Sequence, residues 1–227
     1  MLFLSFTEET EIDERVASSD FVAAIDFGTA YSGYAFSTLN DYNADPLNIS
    51  TLPWNEKAES YKIPTNILFD ADKKFIAFGN QAEEMYSTLQ KEKCYFFRKF
   101  KMLLYDMACT ENEVNDEQYL ILLLFFKNEL CLILFIVFVF QRLTKQTLLR
   151  DIKGKEMLAI DVFSAAVKYL KDRVLQELKR KEIKIQNKNN IKWVLTVPGI
   201  WDDLAKQFMR DAAEMVLIII QLFFHFE

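Results

Sequence analysis

Residues 21–37 read FVAAIDFGTAYSGYAFS, and this stretch decides the fold. It opens on an apolar run of small and branched side chains that ends on a carboxylate, Asp26. Gly28 and Thr29 interrupt the run, and strand-favouring aromatic residues resume at Tyr31. The pattern predicts a strand, a tight turn and a second strand antiparallel to the first.

The residues downstream of this hairpin alternate between strand and helix signals. Apolar residues 63–69 and 75–78 flank a polar turn, which predicts a second hairpin. Asn80 is predicted to cap a helix that runs to about Leu89, with Glu83 completing the start as in a capping box. From Ala159 apolar residues recur at steps of three and four, which predicts a long amphipathic helix.

The last ordered elements predicted by the sequence are a strand and a helix. Residues 191–197 form an apolar run that Pro198 ends, and Asp202 is placed to cap a helix with Leu204, Phe208 and Ala212 on one face. Hairpin strands are antiparallel, whereas the last strand is reached through a crossover helix. We therefore expect an α/β fold, a mixed sheet with flanking helices.

Composition excludes several classes of function. The chain has 227 residues, of which 51% are hydrophobic, enough for a sizeable core. A formal net charge of −6 argues against binding nucleic acid or anionic lipid by bulk attraction. The three cysteines form no CxxC pair, which argues against a zinc site or disulfide framework and favours a reducing, cytoplasmic location. The single histidine, His225, leaves a catalytic triad without its usual base.

The turn after Asp26 carries residue types suited to binding phosphate. Glycine at Gly28 lets backbone N–H groups approach phosphate oxygens without a Cβ in the way. Thr29 and Tyr31 can add hydroxyl or amide donors, and the Asp26 carboxylate can hold Mg²⁺ through water. Taken alone, this short string favours an ordinary hairpin turn over a phosphate site.

Two separated motifs resemble one protein family. Residues 25–32, IDFGTAYS, resemble the first phosphate-binding hairpin of the seventy-kilodalton heat-shock proteins, which belong to the actin and hexokinase ATPase superfamily. Residues 194–203, VLTVPGIWDD, are similar to that family's strand-proline-helix element between the ATPase lobes. The amino-acid sequences of the two stretches are most similar to the divergent heat shock 70 kDa protein 12 branch. Two matches in the right order outweigh either one.

The resemblance implies a fold, ligands and site residues. It implies a ribonuclease H-like, actin-type ATPase lobe that binds ATP or ADP with Mg²⁺. The implied phosphate contacts are Asp26, Gly28, Thr29, Ala30 and Tyr31, with Asp26 also serving the magnesium. Ala30 departs from the hydroxyl residue that typical members carry at this position.

The resemblance also implies residues beyond the hairpin. A lysine that reaches the transferred phosphate is matched best by Lys101, with Lys99 as the alternative, and two solvated lysines on an aromatic-rich helix remain the plainer interpretation. Pro198 and Lys206 would relay the nucleotide state between lobes. Whether such a chain hydrolyses ATP or only binds it stays open.

The function that this pattern favours is that of an ATP-binding, chaperone-like protein with protein clients or co-chaperones. One alternative is a sugar-kinase-like phosphotransferase, which usually has a basic residue where this chain has Gly33. The other is an interaction protein attached to a membrane through residues 120–140. Polar residues 127–129 interrupt that segment and leave eleven apolar residues, whereas a membrane span needs about 20.

The chain divides into an acidic leader, residues 1–19, and residues 20–227, which we expect to form part of an N-terminal nucleotide-binding lobe. The family resemblance covers about 20–104 and 151–213. Residues near 111–142 and 215–227 share a bias to phenylalanine, leucine and isoleucine. The first of them could be a membrane segment, a buried helix or strand pair, or translated intron, and we favour translated intron for both.

No stretch of the sequence resembles the family's second phosphate loop, its adenine-binding segment or its peptide-binding domain. Phosphoryl transfer depends on groups that position phosphate, metal and water from both sides. We therefore expect a truncated lobe with an incomplete nucleotide site and little catalysis by itself.

Overall fold

The computed structural model describes residues 21–51, 53–54, 60–89, 92–104, 143–180, 191–199 and 201–216, and the backbone of 220–225. The predictions for residues 1–19 and 111–142 lie outside the described residues. The described elements are β1 Phe21–Phe27, β2 Tyr31–Thr38, α1 Leu39–Ala44, β3 Lys62–Pro64, β4 Asn66–Phe69, β5 Phe75–Phe78, α2 Asn80–Thr88, β6 Tyr95–Arg98, β7 Leu148–Arg150, β8 Glu156–Leu158, α3 Ala159–Arg180, β9 Ile191–Pro198, α4 Asp203–Glu214 and β10 Ile220–His225.

The main sheet has five strands in the order β10-β9-β1-β2-β3. β2 is antiparallel to both β1 and β3, whereas β9 is parallel to β1 and to β10. α3 lies between β2 and β9 in the chain, so it forms the crossover that a parallel neighbour requires. The predicted α/β fold with a mixed sheet and flanking helices is confirmed.

The alternation of β1 determines where its polar end points. Ala23, Ile25 and Phe27 are fully buried, whereas Val22 and Asp26 face the other side of the sheet. Successive strand residues point to opposite faces, so the same pleat that anchors β1 in the core turns Asp26 away from it. Burying a large apolar side chain contributes about 1.5–3 kcal/mol, which fixes this register firmly.

The helices close the buried face of the sheet around the end of β1. Phe163 of α3 packs edge-on against Phe27 of β1 with ring centroids 6.0 Å apart. Phe163 also packs edge-on against Phe208 of α4, at 5.4 Å. Asp202 caps α4 as predicted, because its carboxylate accepts a hydrogen bond from Ala205 N at 2.6 Å. The end of β1 is therefore packed against α3, which in turn packs against α4.

A smaller sheet of order β5-β4-β6 lies in the chain between β3 and β9 of the main sheet. The predicted hairpin is confirmed in β4 and β5, which pair antiparallel. The predicted strand 63–69 is divided at Thr65, because its first part pairs with β2 in the main sheet. Residues 95–98 form a strand that pairs with β4, so the helix considered for the aromatic segment there was wrong.

Two further local predictions are corrected. The cap of α2 is Gly79, with φ 69°, and not Asn80, which is the first helical residue. Glu83 does not complete a capping box, because its carboxylate accepts a hydrogen bond from Asn66 Nδ2 at 2.7 Å. Leu204 does not share the buried face of α4, since it is 36% exposed while Phe208 and Ala212 are buried.

The backbone of residues 220–225 forms β10, which pairs in parallel with β9. That residues 215–227 lie outside the family pattern stays a prediction. In the described ranges, no helix combines the length and the apolar character that crossing a membrane requires. The candidate membrane segment 120–140 lies outside those ranges.

Candidate functional site

Asp26 lies in a row of residues that crosses four strands. Its Cα partners are Thr196 on β9 and Gly33 on β2, and Gly33 pairs in turn with Lys62 on β3. Thr196 Oγ1 donates to Asp26 Oδ1 at 3.1 Å, and Lys62 Nζ lies 3.0 Å from Asp26 Oδ2. The carboxylate therefore has a partner on each side, while its side chain remains 46% exposed.

The glycine in this row lets the lysine reach the aspartate. A Cβ added at Gly33 would lie 3.5 Å from Lys62 Cγ and 3.2 Å from the backbone oxygen of Tyr61. The aliphatic part of Lys62 thus passes over Gly33, which has no side chain to occupy that space. The aliphatic part of a lysine from β3 thus lies over the position where a sugar kinase usually carries a basic residue, and the ammonium group of this lysine lies at Asp26.

The turn between β1 and β2 admits only glycine at its first position. A Cβ added at Gly28 would lie 2.2 Å from the backbone oxygen of Tyr31, far inside van der Waals contact. Such a close approach of two backbone segments is the situation in which glycine is required. The structure therefore gives a steric reason for the glycine after Asp26, separate from the approach of phosphate that the sequence analysis invoked.

Buried Thr65 pins the turn from within the protein. Its Oγ1 donates to Gly28 O and its N donates to Ala30 O, both at 2.8 Å. Its hydroxyl also lies 2.8 Å from Ser32 Oγ. Two carbonyl groups of the turn are therefore fixed in direction by one residue at the junction of the two sheets.

Fixing these carbonyls also fixes the direction of two donors. The described residues contain no cis peptide bond, and in a trans peptide the C=O and N–H groups point in opposite directions. The N–H groups of Thr29 and Tyr31 therefore point away from Thr65. Ala30 and Tyr31 are exposed to solvent, with Tyr31 at 55%. The turn thus presents directed backbone donors beside the Asp26 carboxylate, which suits an anion.

Lys101 lies directly behind this turn. Its side chain is buried, and its ammonium group donates to the backbone oxygen of Phe27, the residue before Gly28. The ammonium also lies 4.8 Å from the centre of the Trp201 ring. The interpretation of Lys101 as a solvated lysine is therefore wrong, and the structure brings it to the predicted hairpin.

Lys99, the alternative to Lys101, lies elsewhere. It is exposed, has φ 49°, and lines an open groove of about 480 Å³ together with Arg98 and Arg150. Lys101 is the one of the two that contacts the end of β1.

The proline element reaches the same region through its tryptophan. Pro198 ends β9, and its carbonyl accepts a hydrogen bond from the N–H of buried Trp201 at 3.3 Å. Trp201 in turn packs on the Lys101 ammonium. Lys206 lies on α4, with its ammonium 3.6 Å from the Asp203 carboxylate. The structure therefore connects Pro198 with the hairpin through Trp201, and it places Lys206 one helical turn into α4.

The donor set around Asp26 fits one kind of metal binding. In the part of the chain that the structure describes, no three His, Cys, Asp or Glu side chains are grouped so as to hold a metal ion. Mg²⁺ is usually held by one or two carboxylates together with waters and the phosphates of a ligand. Asp26, half exposed and close in sequence to the N–H groups of the turn, fits a magnesium ion that arrives with a phosphate.

Three residues of this site escaped the sequence analysis as site residues: Lys62, Thr65 and Thr196. Lys62 and Thr196 are separated from Asp26 by 36 and 170 positions, and they meet it because of strand register. The Lys-Ile-Pro-Thr string at 62–65 carries no motif that would have marked it. Of the three, only Thr196 could have been identified from the sequence, since it lies inside the VLTVP string that resembles the family.

The chain resembles two curated heat-shock proteins over most of its length. It is 32% identical over 206 residues to heat shock 70 kDa protein 12B of Homo sapiens, a match that covers 89% of this chain and 25% of the relative. It is 31% identical over 199 residues to heat shock 70 kDa protein 12A of Mus musculus, which covers 85% of this chain and 24% of that protein. The chain thus spans about a quarter of the length of the curated relatives it matches.

Two other comparisons add less. No family model matches the chain. Among solved structures, MreB5 of Spiroplasma citri bound to ADP matches with a TM-score of 0.42 and 10% identity, over 91% of this chain and 39% of that one. The sequence resemblance inferred from the two motifs is confirmed by the curated relatives. The chain is related to the heat shock 70 kDa protein 12 branch of the seventy-kilodalton heat-shock proteins.

Proposed function

We propose that this protein binds ATP or ADP, together with Mg²⁺, through the turn between β1 and β2. One observation carries the proposal. Thr65 holds the carbonyls of Gly28 and Ala30 inward, so that the N–H groups of Thr29 and Tyr31 point outward beside Asp26. Backbone donors arranged in this way bind phosphate oxygens without a reorganisation cost.

Each residue at the turn has a distinct role in this proposal. Gly28 permits the close turn, and Thr29, Ala30 and Tyr31 contact the phosphates. Asp26 accepts hydrogen bonds from water molecules on the metal ion. The bound nucleotide would supply the phosphate oxygens that complete the coordination of the metal.

Lys101 is proposed to stabilise negative charge on the terminal phosphate. Its ammonium group lies one residue behind the turn, on the backbone oxygen of Phe27. A lysine is a mobile point charge, so a small movement from this carbonyl towards the ligand suffices. Lys99 lines a different groove and is not part of the site in this proposal.

The proposal for the wider biological role is based on the names of the similar proteins. We propose a chaperone-like protein in the cytoplasm, in which nucleotide state alters a site for protein clients or co-chaperones. Pro198 and Lys206 would relay that state between lobes. The names of the relatives support this role, and the contact of Trp201 with both Pro198 and Lys101 supports the route. The described chain would supply one wall of the nucleotide cleft.

A sugar-kinase-like phosphotransferase remains the second candidate, because one observation favours it. Gly33 lacks the basic side chain of such enzymes, yet the Lys62 side chain passes over this glycine and brings its ammonium group to Asp26, the neighbour of Gly33 in the sheet. Turnover of ATP that depends on added sugar would support this candidate. ATP turnover that is indifferent to sugars would leave the chaperone-like role preferred.

We expect ADP or ATP with Mg²⁺ to raise the melting temperature of the intact chain. A ligand at about a hundred times its Kd stabilises the folded state by about 2.7 kcal/mol. In a domain of this size, that corresponds to roughly 5–10 °C. The measurement is a thermal unfolding scan with and without nucleotide, and adenosine, which lacks phosphate, is the control. An unchanged melting temperature at millimolar nucleotide would contradict the proposal.

A further inference from the structure

Lys62 occupies the position beside Asp26 that a metal ion would take. Its Nζ lies 3.0 Å from Asp26 Oδ2, and Thr196 Oγ1 occupies the other carboxylate oxygen. A magnesium ion held by Asp26, even through water, would place two more positive charges beside this ammonium group. Repulsion between like charges at such distances favours the departure of one of them.

The ion pair is easily broken. Both side chains are largely in solvent, with 60% of Lys62 and 46% of Asp26 exposed. Exposed pairs of this kind contribute little to stability, typically under about 1 kcal/mol. On the β2 side, the aliphatic part of Lys62 lies over Gly33, which offers no side chain for it to contact. The pair can therefore exchange partners at a low cost.

The turn that would bind phosphate is within the range of the same side chain. Tyr31, at the end of the turn, pairs with Pro64, two residues after Lys62 on β3. Thr65, the next residue after Pro64, is hydrogen-bonded to the turn itself. A lysine side chain has four rotatable methylene groups and three donors, so it can swing from Asp26 to a ligand bound at the turn.

We propose that Lys62 is a phosphate-binding residue that is stored on Asp26 while the site is empty. When a nucleotide and a divalent cation bind, its ammonium group moves from the Asp26 carboxylate to a phosphate oxygen, and the hydrated cation takes its place. Without a cation, Lys62 offers the phosphates a positive charge in addition to that of Lys101. The proposal rests on nucleotide binding at the turn.

The test is the effect of Mg²⁺ on ADP affinity in wild type and in Lys62→Met. Calorimetric titration gives Kd for ADP in EDTA and in excess Mg²⁺. In EDTA, the variant should bind about tenfold more weakly, because a hydrogen bond from a charged donor to phosphate is lost. In excess Mg²⁺ the lost phosphate contact is offset, because the cation no longer has to displace the lysine from Asp26. The ratio of Kd in EDTA to Kd in Mg²⁺ should therefore rise by about tenfold.

Two further variants serve as controls. Lys62→Arg keeps the charge and should remain within about threefold of wild type in EDTA. Lys192→Met removes the same charge from β9 near its start, four residues before Thr196, and should leave both Kd values unchanged. If Lys62→Met has the wild-type Kd under both conditions, the lysine is only a surface ion-pair partner and this inference is overturned. If wild type itself binds no ADP, the proposed function fails as well.

Discussion

Gly28→Ala is expected to abolish detectable nucleotide binding and to lower the free energy of unfolding by about 1–3 kcal/mol. The added Cβ would lie 2.2 Å from the backbone oxygen of Tyr31, so the turn has to open. Opening it moves Gly28 O and Ala30 O away from Thr65 and redirects the N–H groups of Thr29 and Tyr31. Calorimetric titration of ADP and chemical denaturation measure the two effects.

Gly154→Ala is the matched control for this variant. Gly154 has φ +83°, and no atom lies within 4 Å of an added Cβ. Alanine there is strained by the backbone conformation alone, at a cost of about 1–2 kcal/mol. The two variants should therefore lose similar stability, while Gly154→Ala keeps the wild-type ADP affinity. Equal ADP affinity in Gly28→Ala and wild type would show that the turn does not bind the ligand.

Asp26→Asn is expected to remove the effect of Mg²⁺ on nucleotide binding and to weaken binding in Mg²⁺ at least about tenfold. The amide keeps an oxygen that can accept from Thr196 Oγ1 but carries no charge to hold a hydrated cation. The stability should change little, because the ion pair with Lys62 is exposed. The measurement is ADP affinity with and without Mg²⁺.

Asp72→Asn is the control for the loss of one negative charge. Asp72 is exposed in the turn between β4 and β5, which belong to the smaller sheet and not to the sheet that contains Asp26. This variant should retain both the ADP affinity and its dependence on Mg²⁺. An Asp26→Asn protein that still binds ADP more tightly in Mg²⁺ than in EDTA would place the cation elsewhere.

The elements predicted correctly are those whose signal lies in their own residues. The alternation in residues 21–27 positions Asp26, and the steps of three and four from Ala159 give α3 with its first residue correct. Asp202 was recognised as a cap because an N-cap acts within three residues. Gly28 was predicted as the turn residue so that phosphate could approach its backbone, and the structure adds a separate reason, the close approach of the Tyr31 backbone oxygen.

The features that could not be predicted depend on partners distant in the chain. The run 63–69 reads as one strand, but Thr65 leaves the sheet because β3 pairs with β2 and β4 with β6. The burial of Lys101 depends on Trp201, a hundred positions away, and sequence alone gives a lysine among aromatic residues. The Asp26 pair with Lys62 required the register of three strands, which a periodic pattern in one strand does not contain.

The central claim is that the turn between β1 and β2 binds nucleotide phosphate. Amide chemical shifts of the isotope-labelled chain, titrated with ADP and Mg²⁺, test it most directly. The largest shift changes are expected within the turn, residues 28–31, because the N–H groups of Thr29 and Tyr31 would face the phosphates. Changes concentrated instead around the groove of Lys99, or no changes at saturating ADP, would contradict the account.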